Sequence, residues 1–360
     1  LRFQEFIRMS HTDLSLLLVG RYPVSEFRRL VELAEETGYD GLWYADERFF
    51  RDCWAGLTVA ALSSSRIRLG ICVTDPYVRH PALTATAFAT VDEISGGRAV
   101  LGLGAGISGF KEMGIKRVRQ RVALRETIEL VRRLWTGERV DYSGEVVQFH
   151  DGAIQVPARG DIPICIASNG PSTIELAGEV ADGLIVQALA SPFMVDSVRT
   201  LLSNGAERAG RDMSAIRLHA RVDVAVHADR EAARRAVLPG VTRHLRTHYP
   251  HFNSPRLAGV EIPEELVEAL AAVGYTHDQA ALADLARLVP EQAVDRLAVA
   301  GTAEEVAEQL AALLRNEVAE VMVMPVLVPG QDEYDVIRQI AEEVMPRARQ
   351  LAGSSPVAGA

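Results

Sequence analysis

Apolar runs and amphipathic stretches alternate along the chain from residue 14 onward, and their spacing predicts a repeated strand–helix architecture. Buried strands are expected at 14–19, 41–45, 66–73, 99–103, 162–167, 183–186, 218–226 and 320–326. Most read as near-continuous apolar runs, the pattern of a parallel strand covered on both faces. Between them, 25–37 places Phe27, Leu30, Val31 and Ala34 on one helical stripe and stops before Gly38, a plausible helix-ending glycine. Leu124, Ile128, Val131 and Trp135 repeat that spacing over 121–135, and the helical pattern of 81–94 stops at Ser95, Gly96 and Gly97. Thr302 and Glu305 make a capping box for a helix over 302–314. Pro171 stands in the first turn of a helix over 171–180, where a missing N–H costs nothing.

Eight strands, each followed by a helix, predict an α/β fold of the (β/α)8 TIM barrel type, with an open doubly wound sheet as the structural competitor. Two segments interrupt the repeat: a short β-hairpin within 137–157, before strand five, and an insertion over 239–299, before the last barrel unit. The expected organisation is a single barrel domain over 13–352. An N-terminal extension covers 1–12, with Met9 a candidate natural start, and a small-residue tail over 353–360 is expected to be disordered.

Composition narrows the function classes. Of 360 residues, 48% are hydrophobic and 24% charged, enough apolar material for a large core. A net charge of -10 without a basic stripe argues against nucleic acid as a partner. No run of 18 apolar residues is present to span a membrane, and the stretch up to His11 lacks the apolar segment of a secretory signal. Cys53, Cys72 and Cys165 form no CxxC pair, so neither a disulfide framework nor a zinc site is expected, and a cytoplasmic location suits them. His244 and His248 have the spacing of a metal pair but no HExxH partner; no metal is expected, and they are read as lining or covering the mouth of the barrel. Neither a GxSxG elbow nor a Walker loop occurs.

Reactive groups of parallel barrels gather at the carboxyl ends of the strands. Reading past those ends gives Gly20 to Tyr22, Asp46 to Arg48, Thr74 to Tyr77, Gly104 to Gly106, Ser168 to Gly170, and Gln187. GLGAG at 102–106 is a loose dinucleotide fingerprint, or a turn where backbone must pass close to something. ASNGP at 167–171 ends a strand and opens a helix, so it is either an anion site or an ordinary N-cap with Ser168 or Asn169 as the capping side chain. Asp46 and Glu47 end strand two as candidate acids or heterocycle partners, or as a local salt bridge with Arg48 and Arg51. Lys111, Lys116, Arg117, Arg119 and Arg121 form either a solvated face or a contact for an anionic tail.

Three segments, RIRLGICVTDPYVRHP (66–81), AFATVDEISGGR (87–98) and AVLGLGAG (99–106), closely resemble the luciferase-like flavin and deazaflavin oxidoreductases, nearest the methylenetetrahydromethanopterin reductase branch. ICIASNGP (164–171) with AGEVADG (177–183) is similar to the phosphate-loop region of that family. The resemblance covers most of 14–345 and is weakest in the insertion. It implies a cofactor ring lying across the strand ends, either reduced coenzyme F-420 (8-hydroxy-5-deazaflavin) or FMN. By the same resemblance, a non-prolyl cis peptide at Cys72–Val73 backs the ring and Asp46 and Thr74 bond its edge. Gly104, Ala105 and Gly106 run along the cofactor, and Ser168, Asn169 and Gly170 bind its phosphate. The implied reaction is hydride transfer from coenzyme F-420 to a polarised double bond of a small-molecule substrate, with Glu47 and then Asp46 as proton donors. The alternatives are an FMN-dependent monooxygenase served by a partner flavin reductase, and a non-catalytic flavin-binding barrel. A homodimer is expected by analogy. By the resemblance two departures stand out: Asp46-Glu47 where many deazaflavin relatives carry Asp-His, and Leu17 where the methanopterin reductases place a Glu.

Overall fold

The computed structural model describes residues 12–273 and 279–353. Eight parallel strands close on one another: β1 (Asp13–Leu18), β2 (Gly41–Tyr44), β3 (Arg68–Ile71), β4 (Ala99–Leu103), β7 (Ile164–Ala167), β8 (Gly183–Gln187), β9 (Arg217–Val226) and β11 (Glu320–Pro325). The pairing of β8 with β9 completes the circuit, so the architecture is a barrel and not an open sheet. The expected hairpin is β5 (Val140–Ser143) with β6 (Gln148–Gly152), antiparallel and outside the barrel. A short strand that the sequence reading missed, β10 (Val299–Gly301), pairs with the far end of β9.

Helix boundaries follow local chemistry. The helix Ala303–Arg315 carries the expected capping box, with Thr302 accepting from the Glu305 N–H and Glu305 accepting from the Thr302 N–H. The helix Pro81–Ser95 ends on Gly96 at φ 69, a left-handed position that glycine takes without steric cost. The insertion starts earlier than its Pro239 suggested. A single helix, Arg230–Thr247, runs through that proline, because its Asp229 cap and buried Ala233, Val237 and Val241 outweigh one lost backbone bond. Helices Asn253–Leu257, Glu264–Ala272, Gln279–Ala286 and Glu291–Leu297 complete it. The chain before Thr12 and after Gly353, which holds the expected start and tail, lies outside the described residues.

Side chains alternate across each strand, so one set faces the helices and the other fills the barrel. The outward set (Leu14, Leu16, Leu18, Leu42, Leu69, Leu101, Ile164, Val186, Val323) belongs to the main apolar core. The inward set is layered. At the amino-terminal end lies a buried polar layer absent from the sequence reading: Asp13 receives Arg68 and Arg217, while Glu320 receives Ser15, Trp43 Nε1 (2.7 Å) and His219 Nδ1 (2.6 Å). His219 and the guanidinium groups of Arg68 and Arg217 hold the Glu320 carboxyl well below the usual range, against the opposing effect of burial. Above it sits an apolar plug of Leu17, Trp43, Val100, Cys165, Ile185 and Met322. Gly70 and Gly183 make room for the plug, since a methyl group at either would collide with Trp43 or with Cys165 and His219.

β3 is shorter than its apolar run because the chain turns out of the ladder after Cys72, whose N–H still donates to the Tyr44 carbonyl (2.9 Å) and which is joined to Val73 by a cis peptide bond. The chain rejoins its neighbour at Thr74, whose N–H donates to the Gly102 carbonyl (3.1 Å) and whose carbonyl accepts from Gly104 (2.9 Å). Gly102 and Gly104 admit this bulge. A methyl at Gly102 would strike the Ile71 carbonyl oxygen, and one at Gly104 would lie 2.6 Å from Val73 Cγ2.

Two predictions follow from this packing. Gly102→Ala should lower stability by roughly 1–3 kcal/mol in urea unfolding, the scale of overpacking, whereas Gly160→Ala, with open space around its would-be methyl, should stay within about 0.5 kcal/mol. Equal effects would refute the close-approach argument. The second concerns acid. Burial depresses the His219 and His244 imidazoles and lowers His248 to about 4. Unfolded histidines take a proton near pH 6.5. The stability these three contribute is therefore complete above about pH 6.5 and is lost as pH falls below it, for His248 down to about 4 at up to ~1.4 kcal/mol per pH unit. His248→Phe should remove one histidine's share of that slope between pH 7.5 and 5.0. An unchanged slope would contradict the assignment.

Candidate active site

The apolar plug lies beneath the carboxyl ends of the strands. Four consecutive strands, β2, β3, β4 and β7, bring the candidate residues to that end: Asp46 and Glu47, then Cys72, Val73 and Thr74, then Gly104, Ala105 and Gly106, then Ser168, Asn169 and Gly170. Three inter-strand spacings of about 4.8 Å make an arc on the order of 15 Å. Half-buried Cys72, Val73 and Ala167 pack on the plug as its upper surface, beside Met324 from β11.

The ends of β2 and β3 are tied by one guanidinium. Arg48 bonds Asp46 Oδ1 at 2.6 Å and Asp75 on its other side, and its cation lies 5.8 Å from the Phe110 ring centroid. Asp75 is buried and also accepts from the Tyr77 and Val78 N–H groups (2.7 and 2.9 Å). Asp46 is thus engaged by Arg48, as the local-salt-bridge alternative required, while Arg51 turns instead to the Gly20 and Arg21 carbonyls. A charge-paired carboxylate acts most naturally as an acceptor. Arg48 was named only as a possible partner of Asp46, and its bridge to Asp75 has no signal in sequence spacing. Glu47 is half-buried in the same turn, with its carbonyl accepting from Phe50 at 3.4 Å.

Thr74 is buried, and its hydroxyl has no hydrogen-bond partner among the described residues, which suits a donor to the edge of a polar ring. Burial pushes the Cys72 thiol up to about 12, so it is protonated at neutral pH and is no nucleophile. The GLGAG stretch opens into loop and not directly into a helix; Gly102 and Gly104 approach the bulge at 71–73, whereas Gly106 faces Phe110 and Asp75.

At the end of β7 the N-cap is Gly170, with no side-chain cap bond. The N-cap alternative for Ser168 and Asn169 is therefore not realised. Ser168 Oγ accepts from the Gly170 N–H (3.0 Å), closing a tight turn. Asn169 is braced by its neighbour strand: Nδ2 donates to the Gln187 carbonyl (2.7 Å) and Oδ1 accepts from the Gln187 N–H (3.3 Å). The Asn169 N–H finds no partner among the described residues and sits beside the start of the helix Pro171–Val180, where an anion is favoured. These open donors, with the glycine-lined arc, fit a planar ring carrying a phosphate tail.

The basic cluster divides. Lys111 and Lys116 are exposed and Arg119 and Arg121 pair with Glu145 and Glu179, as on a solvated face, whereas Arg117 folds back onto the Gly106 carbonyl at the rim. His244 and His248 pack ring to ring at 4.6 Å, and among the described residues no group of three His, Cys, Asp or Glu side chains is arranged for a metal. No helix among them is long and apolar enough to cross a membrane. On β9 the polar side chains of Arg217, His219, Arg221 and Asp223 alternate with apolar ones, a period-two signal readable in 217–224 that places Arg221 at the mouth, against Met324.

Known proteins bear directly on this arrangement. The family described as Luciferase-like monooxygenase matches residues 7–320. The 5,10-methylenetetrahydromethanopterin reductase of Archaeoglobus fulgidus is 32% identical over 90% of this chain and 96% of its own length. That of Methanopyrus kandleri is 30% identical over 95% of this chain and 100% of its own. The structure of the coenzyme F420 dependent tetrahydromethanopterin reductase from Methanopyrus kandleri superposes with a TM-score of 0.81 at 26% identity, covering 94% of this chain and 99% of that one. The chain belongs to the luciferase-like family and is a flavin- or F420-dependent oxidoreductase close to its methylenetetrahydromethanopterin reductase branch.

Proposed function

We propose that this enzyme passes a hydride from reduced coenzyme F-420 to a polarised C=C, C=N or C=O bond of a small organic substrate. The observation that carries the reading is the shared location of the 72–73 bulge, the glycine-lined end of β4 and the Ser168–Gly170 turn on one arc of the barrel mouth. Bound there, a deazaflavin supplies hydride chemistry and none with oxygen, because carbon replaces the flavin N5. Identity to an F420-dependent glucose-6-phosphate dehydrogenase of Nakamurella multipartita, 30% over 91% of this chain, supports the same cofactor.

The protein's share of the work is placement, exclusion of water and a proton. Cys72, Val73 and Ala167 give the ring an apolar seat on the plug, and Thr74 donates to its edge. Asp46, fixed by Arg48, accepts from it. The Ser168 hydroxyl and the Asn169 N–H hold the phosphate. Glu47 gives a proton to the substrate atom next to the one reduced. The substrate is not carried over from the methanopterin reductases: Leu17 belongs to the apolar plug, so β1 offers no acid at the position where the resemblance implies a Glu.

Glu47→Gln should lower kcat by about 100-fold or more, the usual worth of a placed acid, with the cofactor Kd changed less than about twofold. Equal losses in both would make Glu47 a binding group. Titration of the purified protein with coenzyme F-420 and with FMN, followed by fluorescence, should favour F-420. Tight FMN binding without deazaflavin affinity would instead support a monooxygenase that depends on a partner flavin reductase.

A further inference from the structure

The Asn169 carboxamide has no donor left for an anionic ligand. Besides its two bonds to the Gln187 backbone, its second Nδ2 proton goes to Ser254 Oγ at 3.0 Å, in the helix Asn253–Leu257 of the insertion. Ser254 is completely buried, and its Oγ lies 2.7 Å from Nε2 of His244, itself buried on the helix Arg230–Thr247. The Ser254 hydroxyl thus bridges Asn169 Nδ2 and His244 Nε2, and the His248 ring packs edge-on against that imidazole. Burying a carboxamide, a hydroxyl and an imidazole together is costly unless they are linked, and here Asn169, Ser254 and His244 Nε2 form one chain of bonds leading to the loop, while His244 Nδ1 has no partner among the described residues. We infer that Ser254 and His244 are positioning residues, through which the insertion fixes the Asn169 side chain and so aims the 168–170 backbone at the cofactor phosphate.

This inference rests on the 168–170 turn being the phosphate seat. Two matched ligand pairs test both ideas separately: coenzyme F-420 against its phosphate-free 8-hydroxy-5-deazariboflavin core, and FMN against riboflavin. Binding is read by fluorescence for wild type, Ser254→Ala, Ser254→Thr and His244→Phe, with circular dichroism confirming the fold. Wild type should prefer the phosphorylated member of whichever pair it binds. Ser254→Ala and His244→Phe should weaken that member by roughly five- to tenfold, the scale of one lost hydrogen bond, and leave the phosphate-free ligand within about twofold. Ser254→Thr, which keeps the hydroxyl, should restore the preference. If wild type does not distinguish the members of either pair, the phosphate seat is wrong. If wild type distinguishes them and the Ala and Phe variants do so equally well, or lose both ligands alike, the seat stands and the positioning role falls.

Discussion

One carboxylate deep in the barrel holds four neighbouring strands in register. Glu320, on β11, accepts from Ser15 on β1, from Trp43 on β2 and from His219 on β9. Asp13 extends the network to β3 through Arg68. Such a layer gains little over a well-packed apolar one, because desolvation offsets most of the attraction. Its geometry is directional, however, whereas apolar contact is not. The three donors to Glu320 come from three different strands, so a slipped register would bury an unmatched charge. The indole of Trp43, fixed by that bond, is also part of the plug under the mouth. Strand register is in this way transmitted to the surface on which the ring would rest.

How much of this was legible from the sequence depended on which signal each feature left. Apolar runs and caps located eight barrel strands and five of the helices within a few residues, because buried parallel strands and capped helix starts have compact local signatures. The polar layer was missed for the same reason: Asp13, Arg68, Arg217 and Glu320 stand at the starts of apolar runs, where a charged residue reads as an edge exposed to water. Only the alternation of β9, with Arg217, His219, Arg221 and Asp223 every second residue, could have shown that the barrel's inner face is polar there. β10 is too short to leave a pattern.

The site shows the same division. Its backbone elements, the Cys72–Val73 bulge and the glycines of β4, came from a family resemblance carried by contiguous segments. The side-chain braces did not, since Arg48 with Asp75 and Ser254 with Asn169 join residues far apart in the chain. Asn169 illustrates the difference. As a residue type in a strand-to-helix turn it reads as a ligand, yet its carboxamide is consumed by Gln187 and Ser254, leaving the backbone to meet an anion.

The insertion leaves and re-enters the barrel at adjacent points. β9 and β10 pair side by side, and the His227 N–H donates to the Gly301 carbonyl at 3.0 Å, so the two ends of the intervening segment are clasped together. The entropy of closing a loop between ends already held grows only slowly with its length. A module grafted at that clasp can be lengthened, trimmed or exchanged with little cost to the cylinder beneath. Because Ser254 and His244 of that module reach Asn169, such an exchange would spare the cylinder but be felt at the 168–170 turn.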